Sequence, residues 1–298
     1  MKILVTGASG LLGHKIVQIA LKKGHEVYAI YNEHKVDIGI SIQLDITNRD
    51  KLFEKIFQLK PDTIIHAAAY TDVEGSEINK ELAWKINAEA TKNIAKASAN
   101  IDSHMIYVST DYVFDGEKGL YSEEDAPNPI NYYGYTKLKG EEFTKESNTK
   151  YCIARASVIY GWAYTHKQNF ATWIINNLKQ GKEIKIITDQ YVSPTLNTNL
   201  AEMLLEIAER EITGILHTAG ATRTSRYNFA KKLAEIFDLN PDLIKQAKIN
   251  EMSWKAKRPK DSSLDIKKAL KILNQKPLEL EHALKKMKEE TNHTFVLT

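Results

Sequence analysis

The chain has 298 residues, 43% of them hydrophobic and 27% charged, with a formal net charge of +3. A chain of this length can bury a large core in one big domain or two, and so small a charge gives no argument for nucleic acid as a partner. The apolar run after Met1 and Lys2 is too short for a signal peptide or a membrane span, and no later run is long enough. The cytoplasm is therefore the expected location and a membrane is not an expected partner.

Ile3, Leu4 and Val5 form a short apolar run suited to a strand buried on both faces. Glycines follow at 7, 10 and 13, and then an amphipathic helix over 11–23 that Gly24 stops. Strand, glycine-rich turn and helix are what a phosphate loop requires. Gly7 permits the turn, Gly10 lets the backbone approach a pyrophosphate, and Gly13 lets helix pack on strand. The helix N-terminus then offers free N–H groups to the anion. Ser9, Leu11 and Leu12 fall within the same expected cofactor loop. The spacing is Gly-x-x-Gly-x-x-Gly, not the Gly-x-Gly-x-x-Gly of many dehydrogenases.

A second strand over 25–30 should end near the adenosine ribose. Glu33 suits a ribose diol, and His34 and Lys35 suit a 2′-phosphate; a plain loop fits the same residues. NADPH is favoured slightly over NADH. A third strand over 41–45 makes Asp45, with Ile46 beside it, a candidate adenine contact. A helix over 49–59 stops at Lys60-Pro61. A fourth strand over 63–69 runs into Ala67, Ala68 and Ala69. Such small side chains suit either a nicotinamide ribose lying against the backbone or tight packing. His66 has no metal-spaced partner and reads as a satisfied core histidine. Asn87, in a helix over 81–97, reads as a packing residue or an active-site orienter.

The fifth strand, 105–108, delivers Thr110 at its end, beyond which ligands bind in open α/β sheets. The segment 132–143 has helical character. Only Tyr133 of its three tyrosines lies four residues before Lys137, which puts phenol and ammonium on one helix face. A cation held close lowers a phenol's pKa and makes it a proton donor and acceptor usable near neutrality. Thr110 can share the substrate oxygen.

Cys152, the only cysteine, lies in an apolar run over 151–154 and reads as a buried strand residue. Beyond it, helices are expected over 168–180, 199–210, 226–237, 264–273 and 278–288, with strands over 183–187 and 214–217. The basic loop 255–260 reads as solvated surface or as a wall for a diphosphate, with Arg258 held beside a proline. The fold class is α/β: a Rossmann-type doubly wound parallel sheet with a smaller mixed α/β substrate lobe. The nucleotide unit is expected over 1–160, with 184–212 returning to it. The substrate lobe is expected over 161–183 and 213–298.

These pieces together resemble the extended short-chain dehydrogenase/reductases and, within them, the dTDP-4-dehydrorhamnose reductase family. The resemblance rests on Gly7-Ala-Ser-Gly-Leu-Leu-Gly13, Ala67-Ala-Ala69, Ser109-Thr-Asp-Tyr-Val-Phe-Asp-Gly116, Asn128-Pro-Ile-Asn-Tyr-Tyr-Gly134 and Thr136-Lys137 with Gly140-Glu141. It continues through Arg155, Tyr160-Gly161, Asn169-Phe170, Asp189-Gln190, Ser193-Pro-Thr195, and Arg258-Pro259 with Ser263-Leu264.

The resemblance implies a catalytic set of Thr110, Tyr133 and Lys137, with Tyr133 and Lys137 also meeting the nicotinamide cofactor. It implies sugar-nucleotide contacts at Thr110, Asp111, Tyr112 and Asn169, with Arg258 near. The implied reaction is NAD(P)H-dependent reduction of the 4-keto group of dTDP-4-dehydro-L-rhamnose. Alternatives are an NDP-sugar 4-epimerase and a non-catalytic regulatory partner similar to the beta subunit of methionine adenosyltransferase. The chain departs from the family where a Trp often stands beside the sugar; here that residue is Val158. The segment 70–77 also follows the family only in part. No metal site is expected, and the expected state is monomer or homodimer.

Overall fold

A computed structural model describes residues 1–163 and 168–294. Six strands come in order: β1 (Lys2–Thr6), β2 (Glu26–Tyr31), β3 (Ile40–Gln43), β4 (Thr63–His66), β5 (His104–Thr110) and β6 (Tyr151–Ala156). With the later strand Gly214–His217 they form one parallel sheet. Its order is Gly214–His217, β6, β5, β4, β1, β2, β3. The chain winds outward from β1 on one side, then returns to β4 on the other. The switch point therefore lies between β1 and β4, where a doubly wound sheet opens its crevice. All residues of β4 and β5 are buried, as strands covered on both faces require.

Helices cover both faces. α1 (Leu11–Lys22) and, later in the chain, the helix Asn197–Glu209 pack one side around Ile16, Val17, Leu200 and Leu204. α2 (Arg49–Leu59) packs the other side; Asn48 caps it and Lys60 ends it in the left-handed conformation. α3 is the short helix Val73–Ile78. The helix expected over 81–97 is interrupted: α4 (Lys80–Trp84) passes through a π turn, Lys85–Glu89, into α5 (Ala90–Asn100). Asn87 sits inside that turn. Its amide takes the backbone N–H of Tyr70 at 2.8 Å and donates to Tyr70 O and to Thr136 Oγ1, both at 3.1 Å. It thus fastens the loop after β4 to α6 (Tyr132–Glu146).

His66 is fully buried with both ring nitrogens used, Nδ1 at 2.7 Å from Thr6 Oγ1 and Nε2 at 3.0 Å from Thr91 Oγ1. Burial lowers its pKa to about 3, so it stays neutral. Cys152 is buried in β6.

The second lobe has its own core. α7 (Phe170–Lys179) and the helices Arg226–Ile236 and Leu280–Thr294 pack through Ile174, Ile175, Phe229, Leu233 and Leu284. The strand Ile184–Ile187 belongs here, paired in parallel with Ile244–Ala247. The expected return of 184–212 to the nucleotide unit is corrected accordingly. The helix Asn197–Glu209 makes that return, while Gly214–His217, expected in the substrate lobe, pairs with β6 at the edge of the large sheet. Apolar alternation shows that a strand is buried but not which sheet buries it. Two boundaries also shift. The helix expected over 264–273 starts at Lys267, because Leu264 bridges to Tyr121. The helix expected over 278–288 runs from Leu280 to Thr294. No described helix is long and apolar enough to cross a membrane.

Candidate active site

The cleft forms where β1 and β4 end. A Cβ added to Gly7 would lie 2.8 Å from Ala68 Cα, so the backbone of the alanine run leaves room only for glycine there. At Gly13 a Cβ would overlap the Gly7 carbonyl oxygen. α1 begins at Gly10 with no side-chain cap and no acidic residue in its first turn. Its orphan N–H groups and the positive end of its dipole therefore face the cleft uncompensated, which fits the pyrophosphate of a dinucleotide.

At the end of β5 the Thr110 hydroxyl accepts from Tyr112 N at 3.2 Å and donates to Asp111 at 3.1 Å. Asn131 caps α6 by accepting from Gly134 N at 2.8 Å. Gly134 is needed because a Cβ there would overlap the Tyr112 carbonyl oxygen. The first turn of α6 is thereby pressed onto the 111–113 turn. Tyr133 meets Tyr112 edge-on at 6.0 Å and is coupled electrostatically to the Thr110 hydroxyl.

Burial pushes the Tyr133 phenol above its ordinary pKa, and the Thr110 hydroxyl works against that rise. Lowering of this phenol by Lys137 is the expectation that the geometry does not meet. Lys137 Nζ donates to Val108 O at 2.7 Å and lies 4.2 Å from the Tyr107 ring centroid. Helical spacing put the two side chains on one face, but the end of β5 captures the ammonium.

Asp111 is fully buried and accepts from the hydroxyls of Ser157 at 2.8 Å and Ser262 at 2.6 Å. Burial raises its carboxyl and these hydroxyls oppose the rise. Beside it Val158, a β-branched residue, holds a φ of 40°. Left-handed backbone is rare for such a side chain and is found where the surroundings over-determine it.

One cleft of about 1160 Å³ contains Gly7, Ser9, Gly10, Leu11, Leu12, Gly13, Asp45, Ile46, Ala67, Ala68 and Ala69 together with Thr110, Asp111, Tyr112, Tyr133, Lys137 and Asn169. Several of these are partly committed elsewhere, Asp111 and Lys137 as described above. Asp45 turns its carboxylate to Thr47, taking the backbone N–H at 2.9 Å and the hydroxyl at 2.8 Å. Asn169 caps α7 and donates to Gly161 O at 2.8 Å. Thr110 is bonded as above. Asn32, His34 and Lys35 line the same cleft, whereas Glu33 does not.

Arg258 stands apart, in a neighbouring pocket of about 330 Å³ that shares Val73, Tyr112 and Arg226 with the first. Arg226, Trp173 and Trp254 also line one or both spaces and had no signal in the sequence, since no spacing links them to the Tyr133–Lys137 segment. Among the described residues no group of three or more His, Cys, Asp or Glu is placed to hold a metal ion.

A family model described as "RmlD substrate binding domain" matches residues 1–293. The chain belongs to this family. A solved structure described as a hypothetical dTDP-4-dehydrorhamnose reductase from Sulfolobus tokodaii is 44% identical, covers 94% of this chain and 98% of its own, and has a TM-score of 0.85. The dTDP-4-dehydrorhamnose reductase of Bacillus anthracis, solved in complex with NADP, is 31% identical, covers 97% and 99%, and has a TM-score of 0.88.

The probable low-salt glycan biosynthesis reductase Agl14 of Haloferax volcanii is 33% identical over 89% of this chain and 90% of its own length. The chain is also similar to methionine adenosyltransferase 2 subunit beta of Bos taurus, 29% identical over 89% of this chain and 80% of that protein. RmlD-family membership agrees with the doubly wound sheet and the order of motifs along the chain.

Proposed function

We propose that this RmlD-family chain reduces the 4-keto group of dTDP-4-dehydro-L-rhamnose, giving dTDP-L-rhamnose, with NADPH favoured over NADH. The carrying observation is that Thr110, Tyr133 and Lys137 share one cleft with the glycine loop, in a chain similar over nearly its whole length to reductases of that name. The site is read as cytoplasmic, on a monomer or homodimer.

Bound NADPH supplies the hydride to the carbonyl carbon. The chain's own residues handle position and proton. Gly7 to Gly13 and the start of α1 hold the pyrophosphate. Ala67 to Ala69 let a nicotinamide ribose lie against backbone. Tyr133 is neutral throughout the working pH range, because burial holds its phenol up, so it begins as a proton donor. Its phenol oxygen gives the proton to the developing alkoxide, and the Thr110 hydroxyl shares that oxygen. Lys137 returns charge to this corner when a ribose hydroxyl draws its ammonium from Val108 O. Asp111, Tyr112 and Asn169 face the sugar nucleotide, and Arg258 faces its diphosphate.

The test is loss of nicotinamide absorbance with dTDP-4-dehydro-L-rhamnose, comparing NADPH with NADH and wild type with Tyr133→Phe. Oxidation by wild type, reduced by roughly 10²- to 10⁴-fold in the variant with NADPH binding intact, is the expected result. Substantial turnover by Tyr133→Phe removes the acid assignment. No turnover with either cofactor favours a second reading, as a regulatory partner, which the likeness to methionine adenosyltransferase 2 subunit beta supports. Co-elution with a synthetase subunit then decides it.

A further inference from the structure

The smaller pocket carries two arginines, each lying over an aromatic ring. The Arg226 guanidinium lies 4.7 Å from the Phe170 centroid, and its Nε donates to Gln190 Oε1 at 3.2 Å. The Arg258 guanidinium lies 5.1 Å from the Trp254 centroid. Its Nη2 donates to Glu74 Oε1 at 2.9 Å, while its Nη1 is buried with no partner among the described residues. Its side chain is only 12% exposed. Arg258 lines the pocket beside Arg226, so the wall carries two guanidinium groups. An anionic oxygen is the acceptor that a guanidinium suits.

Glu74 comes from the other side of the cleft, on α3, 184 residues away in sequence. Its second oxygen accepts the backbone N–H of Lys255 at 2.8 Å. Both oxygens are thus spent on the loop that carries Arg258. On the same short helix Glu77 accepts the N–H of Tyr132 at 2.7 Å, immediately before Tyr133. The Asn131 amide closes the ring by donating to Lys257 O at 3.0 Å. α3 therefore fastens two things at once, the start of the catalytic helix and the arginine loop.

We propose that Glu74 is a positioning residue that holds the Arg258 guanidinium in the pocket wall for the diphosphate of the substrate. The inference rests on the reading of Arg258 given under Proposed function. A guanidinium is planar, so fixing Nη2 on a carboxylate fixes where Nη1 lies. An arginine so held binds a diphosphate without first having to be ordered by it. The Glu74 charge is matched by Arg258 and the loop N–H and does not meet the incoming anion unpaired.

The experiment measures thymidine 5′-diphosphate binding by calorimetry, KM for the keto sugar nucleotide, and NADPH affinity. It uses wild type, Glu74→Gln, Arg258→Met and the double variant. Glu74→Gln keeps the size of the side chain, and its NADPH affinity reports whether the fold is intact. The expected result for Glu74→Gln is a roughly tenfold loss of thymidine 5′-diphosphate affinity and a roughly tenfold rise in KM, with kcat and NADPH affinity little changed. Arg258→Met loses as much or more, and the double variant is no worse than Arg258→Met alone.

If Arg258→Met weakens the diphosphate and Glu74→Gln does not, the positioning role is overturned and the diphosphate reading stands. Full additivity in the double variant, or an equal loss of NADPH affinity in Glu74→Gln, overturns it as well. If Arg258→Met leaves thymidine 5′-diphosphate binding unchanged, the diphosphate reading itself falls.

Discussion

Lys137 Nζ lies 2.7 Å from the carbonyl oxygen of Val108, so the cation one turn from Tyr133 is held by the last residues of β5. It is fully buried, and burial lowers its pKa to about 7, with Glu141 one turn further along α6 opposing the drop. In the unfolded chain the same lysine titrates near 10.4. Between about pH 7 and pH 10.4 the unfolded state therefore binds more protons at this site than the folded state. Its contribution to stability must rise with pH across that window.

Wild type and Lys137→Met, compared by denaturant unfolding without cofactor, should shift relative to one another. The difference should move in favour of wild type by about 2 kcal/mol from pH 7 to pH 10, a discounted share of the 1.4 kcal/mol that each pKa unit represents. A difference that stays flat over that range would show that Lys137 remains fully charged in the folded protein.

Beneath this lysine lies a buried ion pair. Glu141 and Arg155 meet at 2.7 Å with side chains 0% and 1% exposed, and the Ser109 hydroxyl donates to Glu141 at 2.6 Å. The pair ties α6 to β6 directly below Thr110 and Lys137. Removing one member leaves the other charge buried and unmatched, which costs about 3–5 kcal/mol. Glu141→Leu should therefore lower the unfolding free energy by that order in urea melts. Exchanging both residues, Glu141→Leu with Arg155→Met, should recover most of the loss. Equal instability in the single and double variants would mean that packing, not charge, sets the cost.

Gly13 gives a prediction that separates binding from chemistry. A Cβ at this position would overlap the Gly7 carbonyl oxygen, and the backbone of Ala8 lies 3.0 Å away. Neither neighbour is a side chain that can swing aside. Gly13→Ala should push α1 from the end of β1 and weaken NADPH binding by about a hundredfold. Sheet and core should still form, as read by circular dichroism. Tight NADPH binding by this variant would remove the glycine loop from the cofactor assignment.

The nucleotide half was more legible in the sequence than the substrate half, for a physical reason. The glycine turn is written in Gly7, Gly10 and Gly13, and α6 places Tyr133 and Lys137 one turn apart; both are local spacings. The second lobe is assembled from distant pieces. Ile184–Ile187 pairs with Ile244–Ala247, and Glu74 meets Arg258, across separations that no periodicity records. Trp173, Arg226 and Trp254 line pocket walls that exist only once those pieces meet. Val158 was visible as a departure from the family, but its left-handed backbone was not, because valine is among the residues least expected there. Lys137 shows the limit of even local spacing. Position i+4 gave the helix face correctly, and the competing acceptor at Val108 lay on another element.

Cofactor choice turns on the loop after β2. Asn32, His34 and Lys35 line the cleft and Glu33 does not, so the side chains on offer there are amide, imidazole and ammonium. A ribose diol prefers a carboxylate, whereas a 2′-phosphate prefers cations. Lys35 meets Asp37 at 3.7 Å with both side chains about 70% exposed, a long and solvated pairing that a phosphate can displace. Lys35→Ala and His34→Ala should each raise KM for NADPH by roughly three- to tenfold, leaving KM for NADH unchanged. The NADPH effect should shrink in high salt, as exposed charge contacts do. Equal changes for both cofactors would mean that these residues shape the loop without reading the phosphate, and preference would then have to come from the adenine wall around Asp45 and Ile46.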